Sequence, residues 1–280
     1  MTDLTASAPE PAPDQDPMLS ISETSSVAQR AIYPSLADKR VLVTGGGSGI
    51  GAGLVEAFAR QGSRVAFIDI LEEESRALVD RLAPDSRHAP RFTRCDLTDI
   101  ATLQRTLGEV ERELGGFDVL VNNAASDDRH AIEQVTPDYW DERMAVNLRH
   151  QFFAAQAVVP AMRRDGGGVI LNFGSISWHL ALGELVLYQT AKAAIEGLTR
   201  SLARDLGRAN IRVNTIVPGN VQTPRQMKWY TPEAEAEIVA AQCLKLRIEP
   251  RDVAALAMFL ASDDARTITG HEYFVDAGWR

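Results

Sequence analysis

The sequence predicts an α/β fold, a doubly wound parallel sheet with helices on both faces. Two observations carry that expectation. Short β-branched runs alternate with longer segments whose apolar residues recur at three- and four-residue spacing, and the first run passes straight into a glycine-rich turn. The runs are RVLVT (40–44), RVAFID (64–69), RFTRCD (91–96), FDVLVNN (117–123), GVILNFG (168–174), IRVNTIVPG (211–219) and EYFVD (272–276). Between them, segments such as LVEAFARQG, ATLQRTLGEVEREL and DVAALAMFLA read as amphipathic helices. Repeated strand, helix, strand calls for right-handed crossovers and puts a ligand site at the carboxyl ends of the strands. Residues 1–30, rich in Ala, Pro, Ser, Thr and acids, read as a disordered tail. They lack the basic start, apolar centre and cleavage-like end of a signal peptide. Residues 31–280 read as one domain, with 220–245 as its irregular insertion.

Composition narrows the function. A chain of 280 residues with 45% hydrophobic content can bury a full core. Its net charge of −9 argues against nucleic acid or an anionic membrane as partner, since both reward clustered Lys and Arg. Cys95 and Cys243 stand far apart, and the five histidines form no ligand pair, so neither a disulfide nor a metal is expected. No apolar run reaches the ~20 residues that a membrane span needs. Cytoplasmic small-molecule chemistry is the remaining expectation.

The turn after the first run is TGGGSGIG, residues 44–51, and a helical pattern follows it. Gly45, Ser48, Gly49, Ile50 and Gly51 would let the backbone approach a pyrophosphate, while the free N–H groups of the helix start face its charge. The second run ends in Asp69, whose carboxylate can accept hydrogen bonds from an adenosine ribose. A helix cap is the other reading of Asp69. An acid there repels a 2′-phosphate, and Ser48 is neutral where an Arg or Lys would greet one, so NAD is expected over NADP.

In SISWHLALGELVLYQTAK (175–192), Tyr188 and Lys192 fall at i and i+4 of a helix and share a face. A tyrosine acting as a base near neutrality needs its pKa lowered from ~10 by about 3 units, and a lysine ammonium and a positive nicotinamide both act that way. Ser175 can donate to the reacting oxygen while Tyr188 takes its proton. Taken alone, such a pair is equally a tyrosine beside a lysine whose stem lies along it.

Thr44-Gly45-x-x-x-Gly49-x-Gly51, Asn122-Asn123-Ala124, Ser175, Tyr188-x-x-x-Lys192 and Pro218-Gly219 occur in this order. As a set they resemble the short-chain dehydrogenase/reductase family over roughly residues 36–280. The resemblance implies a Rossmann-type domain with a seven-stranded parallel sheet, assembled as a homotetramer or homodimer. It also implies a catalytic tetrad of Asn147, Ser175, Tyr188 and Lys192, with Asn147 holding a water in a proton relay. By the same matching, Asp96 and Leu97 flank the adenine and Asn123 supports the nicotinamide ribose. Pro218, Gly219 and Val221 lie along the nicotinamide, and Tyr188 and Lys192 touch cofactor as well. The family usually has glycine where this chain has Ala125, a methyl that could narrow the space beside the cofactor.

Further words, AIYPSL, GNVQTP, KWYTPE, AAQCLK, NNAASDDRH, NFGSISWHL and GHEYFVDAGWR, are similar to bacterial sugar-oxidising members of that family. They imply oxidation of the anomeric hydroxyl of an aldopentose, D-xylose foremost, to the aldonolactone. A sugar pocket should mix hydrogen-bonding groups with aromatics. Ser126, Asp127, Asp128, Arg129, His130, Ser177, Trp178, His179, Asn220, Gln222, Arg225, Trp229 and Tyr230 provide such a mixture. Of these, Trp178, His179, Asn220 and Asp127, with Ser175 and Tyr188, are the expected substrate contacts, and 220–245 is the expected lid. Two other readings stay open, a dehydrogenase or reductase of another small polar alcohol or carbonyl, and a non-catalytic NAD-sensing or scaffold protein. Widely spread apolar residues in 137–163 and 185–207 suggest subunit packing. The aromatic EYFVDAGWR end is expected to be docked.

Overall fold

The computed structural model describes residues 31–228 and 230–279. The tail expected over 1–30, and Trp229, lie outside these residues. Seven strands form one sheet: β1 (Arg40–Thr44), β2 (Arg64–Asp69), β3 (Arg91–Arg94), β4 (Val119–Asn122), β5 (Gly168–Phe173), β6 (Ile211–Pro218) and β7 (Glu272–Val275). Their order is β3-β2-β1-β4-β5-β6-β7, and every pairing is parallel.

The central strands are apolar throughout because both of their faces are covered. Val41 and Val43 of β1, Val65 and Phe67 of β2, and Val119 and Val121 of β4 enter one core cluster. The intervening Leu42, Ala66, Ile68 and Leu120 enter the other. This is the period of two that a pleated strand imposes. The first cluster is closed by α1 (Gly49–Arg60) and α8 (Pro250–Ala261) through Leu54, Phe58, Val253 and Ala257. The second is closed by α3 (Ile100–Leu114) and α5 (His150–Arg164) through Leu103, Leu107, Ala154 and Val158. The helix α2 (Glu72–Leu82) adds Leu78 and Leu82 to the first cluster, and the end of α6 (Val186–Leu206) adds Ala203 and Leu206 to the second.

Local signals explain the ends. Asp99 caps α3 by accepting the Thr102 N–H, and Gly115 ends it in the left-handed region at φ 80°. Thr136 caps α4 (Pro137–Met144), which passes through a wide π turn, Ala145–Arg149, into α5. The 220–245 insertion is not wholly irregular, since α7 (Pro232–Ala241) lies within it, capped by Thr231 and begun by a proline. That Thr-Pro pair is a helix-start signal that outranks the segment's loop-like composition. The chain end docks on the domain: the Leu244 N–H donates to the Ala277 carbonyl and the Cys243 thiol to the Gly278 carbonyl.

The strand order reverses at β1, which has β2 on one side and β4 on the other. A crevice therefore opens above the carboxyl ends of β1 and β4, where Thr44 lies opposite Asn122.

Candidate active site

The turn after β1 is shaped by sterics. Gly45 and Gly49 take positive φ, 65° and 52°, and a Cβ on Gly51 would sit 1.8 Å from the Gly45 carbonyl oxygen. A Cβ on Gly47 would meet Asp69 Oδ2 at 3.0 Å. Gly49, Ile50 and Gly51 begin α1, so helix geometry leaves their N–H groups facing out of its end, while the Ser48 side chain is exposed. Asp69 is buried, and its carboxylate accepts the N–H groups of Gly47 (2.8 Å), Ile70 (2.7 Å) and Leu71 (3.0 Å). It thus ties the glycine turn to Ile70 and Leu71, the residues that lead into α2.

The next wall comes from β4. The Asn123 side-chain amide donates to the Thr44 and Gly45 carbonyls at 3.1 and 2.9 Å, and the Thr44 hydroxyl accepts the Asn123 and Ala124 N–H groups. The Asn123 NH2 group thus clamps the glycine turn, because β1 and β4 are neighbours in the sheet. Ala125 has ordinary negative φ, so alanine there meets no backbone strain. The Leu97 side chain is buried in the second core cluster, and Asp96 accepts the Thr98 N–H and hydroxyl.

Asn147 lies in the π turn and is fully buried. Its Oδ1 accepts the Ser126 N–H at 2.8 Å, and its Nδ2 donates to the carbonyls of Ser126 (3.0 Å) and Arg143 (3.1 Å). Widening of the turn frees the Arg143 carbonyl for a side chain, so the loop after β4 is stitched to α4.

Ser175 follows β5, and its hydroxyl lies near enough to the Tyr188 phenol to act against the rise of that phenol's pKa. The same hydroxyl donates to Ser177 Oγ at 2.9 Å and accepts the Ser177 N–H at 3.1 Å. Lys192 is buried, with Nζ 5.4 Å from the centre of the Tyr188 ring and donating to the Phe173 carbonyl at 2.7 Å. Burial pushes the lysine down to about 7, against the pull of the Asp127 charge. The phenol moves the other way from what a tyrosine base requires. Burial, then the Asp127 carboxylate, push it above the usual tyrosine range, and the Ser175 hydroxyl and the Arg225 charge only partly oppose them. His150, fully buried and hydrogen-bonded to the Ala124 carbonyl at 3.1 Å, is held down to about 4 by burial and by the Lys192 charge.

The mouth is charged. Arg225 reaches Asp128 at 2.7 Å and Asp127 at 3.2 Å, and Asp128 also meets the buried Arg143. Burial works to raise the Asp128 carboxyl, but the Ser126 hydroxyl and Arg143 hold it below the usual carboxylate range. The Asp127 charge is felt at the phenol. Three other expected sugar contacts have partners within the protein. Trp178 Nε1 and His179 Nε2 both engage Glu196 Oε1 of α6, at 2.9 and 3.1 Å. Asn220 donates to the Tyr230 hydroxyl at 2.8 Å and accepts from Arg247 at 3.1 Å. All three side chains are half-buried, so the part of each that is turned inward is held by the polar partner that packing brings to it.

Pro218 ends β6 and its carbonyl accepts the Ile176 N–H; Gly219 bonds β7 through the Val275 carbonyl, where a Cβ would lie 2.7 Å from Asp276 Cα. Val221 is buried and bridges to Ile248. Thr223, which sequence reasoning missed, stands over the turn: its Cγ2 would be 3.2 Å from a Cβ on Gly49. Its position five residues after Pro218, in the loop of the expected lid, was the only signal for it.

Glycines that a side chain would block, outward N–H groups and a buried acid beside them are what a dinucleotide requires, so these residues fit one. Among the described residues no group of His, Cys, Asp and Glu could hold a metal ion.

Comparison with known proteins gives the same outline. A family model described as enoyl-(acyl carrier protein) reductase matches residues 45–280. A D-xylose 1-dehydrogenase of Caulobacter vibrioides is 62% identical over 250 residues, covering 89% of this chain and 99% of that one. The "Probable galactose dehydrogenase GalD" of Rhizobium meliloti is 51% identical, covering 88% of this chain and 96% of that one. The structure of a short-chain type dehydrogenase/reductase from Mycobacterium ulcerans superposes with a TM-score of 0.83 at 28% identity, covering 88% and 90% of the two chains.

Proposed function

Since the chain belongs to the short-chain dehydrogenase/reductase family, we propose that it oxidises the C1 hydroxyl of D-xylose, or a related aldopentose, to the aldonolactone with NAD. The observation that carries this reading is the grouping of Ser175, Tyr188 and buried Lys192 in a chain 62% identical to a D-xylose 1-dehydrogenase. The reading assigns residues 31–280 to one catalytic domain.

The dinucleotide would be held by the turn 45–51, with its pyrophosphate at the start of α1 and its adenosine ribose toward Asp69. The buried anion at the end of β2 favours NAD, because a 2′-phosphate beside it would meet like charge. When bound, the oxidised nicotinamide would supply the acceptor for the C1 hydride and a positive charge beside the phenol.

The chain does the rest. Ser175 directs its hydroxyl at the sugar oxygen, and Tyr188 takes the proton as the C1–O bond becomes a carbonyl. Burial opposes an anionic phenol, so positive charge must offset it. Lys192, held to about 7 and fixed behind the ring by the Phe173 carbonyl, is poised to give or take a proton near neutrality. Asn147 holds the loop 126–128, and through it Asp127, at the edge of the pocket.

Support for a homo-oligomer, tetramer or dimer, comes from an apolar groove of about 450 Å³ between the α4–α5 segment and α6, lined by Met144, Leu148, Phe152 and Leu198. Sedimentation would decide it, with a monomer counting against it. Among the described residues no helix is long and apolar enough to cross a membrane, and both cysteines are free thiols, which suits the reducing cytoplasm.

Absorbance of NADH, formed with D-xylose, L-arabinose, D-galactose and a short alcohol in turn, tests the reading. Preference for D-xylose with NAD supports it. Turnover of D-galactose instead would move the substrate toward that of the Rhizobium relative, and turnover of the alcohol alone would overturn the sugar assignment.

A further inference from the structure

One buried carboxylate has no part in the reaction as written above. Glu196 stands on α6 at four-residue spacing from Lys192, which stands four from Tyr188, so the three share one stripe of the helix. Its side chain is 11% exposed, and one oxygen, Oε1, receives Trp178 Nε1 at 2.9 Å and engages His179 Nε2 at 3.1 Å. Those two rings stack with centres 3.8 Å apart, and His179 packs edge-on against Phe274 of β7 at 4.9 Å. The same oxygen would lie 3.7 Å from a Cβ on Gly174, so the carboxylate sits against the bend from β5 into Ser175.

The loop it touches is the one that aims Ser175. Ser177, next to Trp178, is buried and bonds the Ser175 hydroxyl through both its own hydroxyl and its N–H. Further along, Ala181 and Glu184 take positive φ, 49° and 62°, which non-glycine residues keep only where surroundings hold them. A short loop with such torsions needs an anchor, and the anchor is on the helix that carries the tyrosine.

We infer that Glu196 is a positioning residue: by gripping Trp178 and His179 it ties the Ser175 loop to the helix of Tyr188, so that the two hydroxyls keep their mutual geometry. This rests on the dehydrogenase reading for Ser175. It assigns Trp178 and His179 to that grip in place of the sugar.

The test is a coupling experiment on the full chain. Glu196→Leu removes the acceptor and Glu196→Gln keeps one. Glu196→Leu is expected to lower kcat about 10- to 100-fold, the range a small misplacement of a reacting group costs, with KM for NAD unchanged. Glu196→Gln should stay within about threefold of wild type, since a neutral oxygen still accepts. In a Ser175→Ala background, Glu196→Leu should cost no more than about twofold, because residues acting through one another are not additive. A full loss in that background would overturn the inference, as would equal loss from Gln and Leu.

If Glu196→Leu does not fold, judged by its melting curve, Trp178→Phe/His179→Phe removes the two loop partners and leaves Glu196 intact. The same coupling to Ser175 is then expected. Hydrogen exchange gives a readout independent of substrate: the Ser177 amide, which donates to Ser175, should exchange about tenfold faster when the grip is removed. If wild type oxidises no sugar, the substrate assignment fails, while exchange at Ser177 still decides the role of Glu196. Unchanged exchange in both variants would overturn it.

Discussion

The turn after β1 and the loop after β5 build their sites in opposite ways. In the turn, backbone shapes the site: a side chain on Gly51 would collide with the Gly45 carbonyl at 1.8 Å, and Asp69 reaches three main-chain N–H groups. In the loop, side chains shape it: Ser175 is aimed by Ser177, and its neighbours are held by Glu196 and Phe274, from other elements. A backbone-built site tolerates few residues at each position. A side-chain-built site is only as good as the packing that orients it.

The comparison can be broken most directly at the base. Tyr188→Phe should lower sugar oxidation by about 10³- to 10⁴-fold while NADH binding, read by fluorescence quenching, stays near wild type. Activity within tenfold of wild type would remove Tyr188 from the role. The loss lies on the loop side alone, so it separates chemistry from cofactor binding.

Lys192 tests the cost of building a site in a buried place. Its pKa falls from 10.5 to about 7 on folding, so between these values the unfolded chain binds more protons and stability rises with pH. The penalty is full below about pH 7 and gone above 10.5, and is on the order of 5 kcal/mol at most. Lys192→Met should therefore melt above wild type at about pH 6, with the gap closing as pH rises toward 10.5. A gap that widens with pH would contradict the buried lysine.

On the backbone-built side the effects are smaller in energy but local to the cofactor. Gly51→Ala should cost about 1–3 kcal/mol of stability, as overpacking does, and raise KM for NAD at least tenfold on the order of that energy. Titration calorimetry and melting curves check both; an unaltered KM would mean that the turn can relax around a methyl. Asp69→Ala should narrow the preference for NAD over NADP by roughly tenfold, about 1.4 kcal/mol, measured as the ratio of kcat/KM values. It should also loosen the glycine turn, since three N–H groups lose their acceptor.

The smallest change is expected at the rim. Arg225 is exposed and paired with Asp127 and Asp128 across the mouth, and such pairs are worth about 1 kcal/mol or less. Arg225→Gln should raise KM for the sugar by up to about fivefold and leave KM for NAD alone. A larger effect on NAD than on sugar would move Arg225 to the cofactor side of the comparison.

How far the site could be read before folding follows the same division. The glycine turn, Asp69 and the seven strand runs were legible, because close backbone approach and two-sided burial restrict residue type position by position. The helix α7 was missed although Thr231 and Pro232 announced it, because the surrounding segment has loop-like composition. Ser175, Tyr188 and Lys192 were legible as a group of residue types. Trp178, His179 and Asn220 were read as sugar contacts from their proximity in sequence to the strand ends. Their partners, Glu196, Tyr230 and Arg247, come from elsewhere in the chain, and no local pattern encodes which polar group a half-buried side chain will meet.

By itself, then, the sequence determined the doubly wound parallel sheet, the turn that suits a dinucleotide and the identity of the groups that could move a proton. Those follow from local rules: alternation along a strand, three- and four-residue spacing along a helix, and the absence of a side chain where backbones must touch. Tertiary structure alone decided the direction of the Tyr188 pKa, the pairing of Arg225 with Asp127 and Asp128, and the capture of the Ser175 loop by Glu196. Each depends on burial and on distances between residues far apart in the chain, and burial is a property of the packed molecule that no single residue carries.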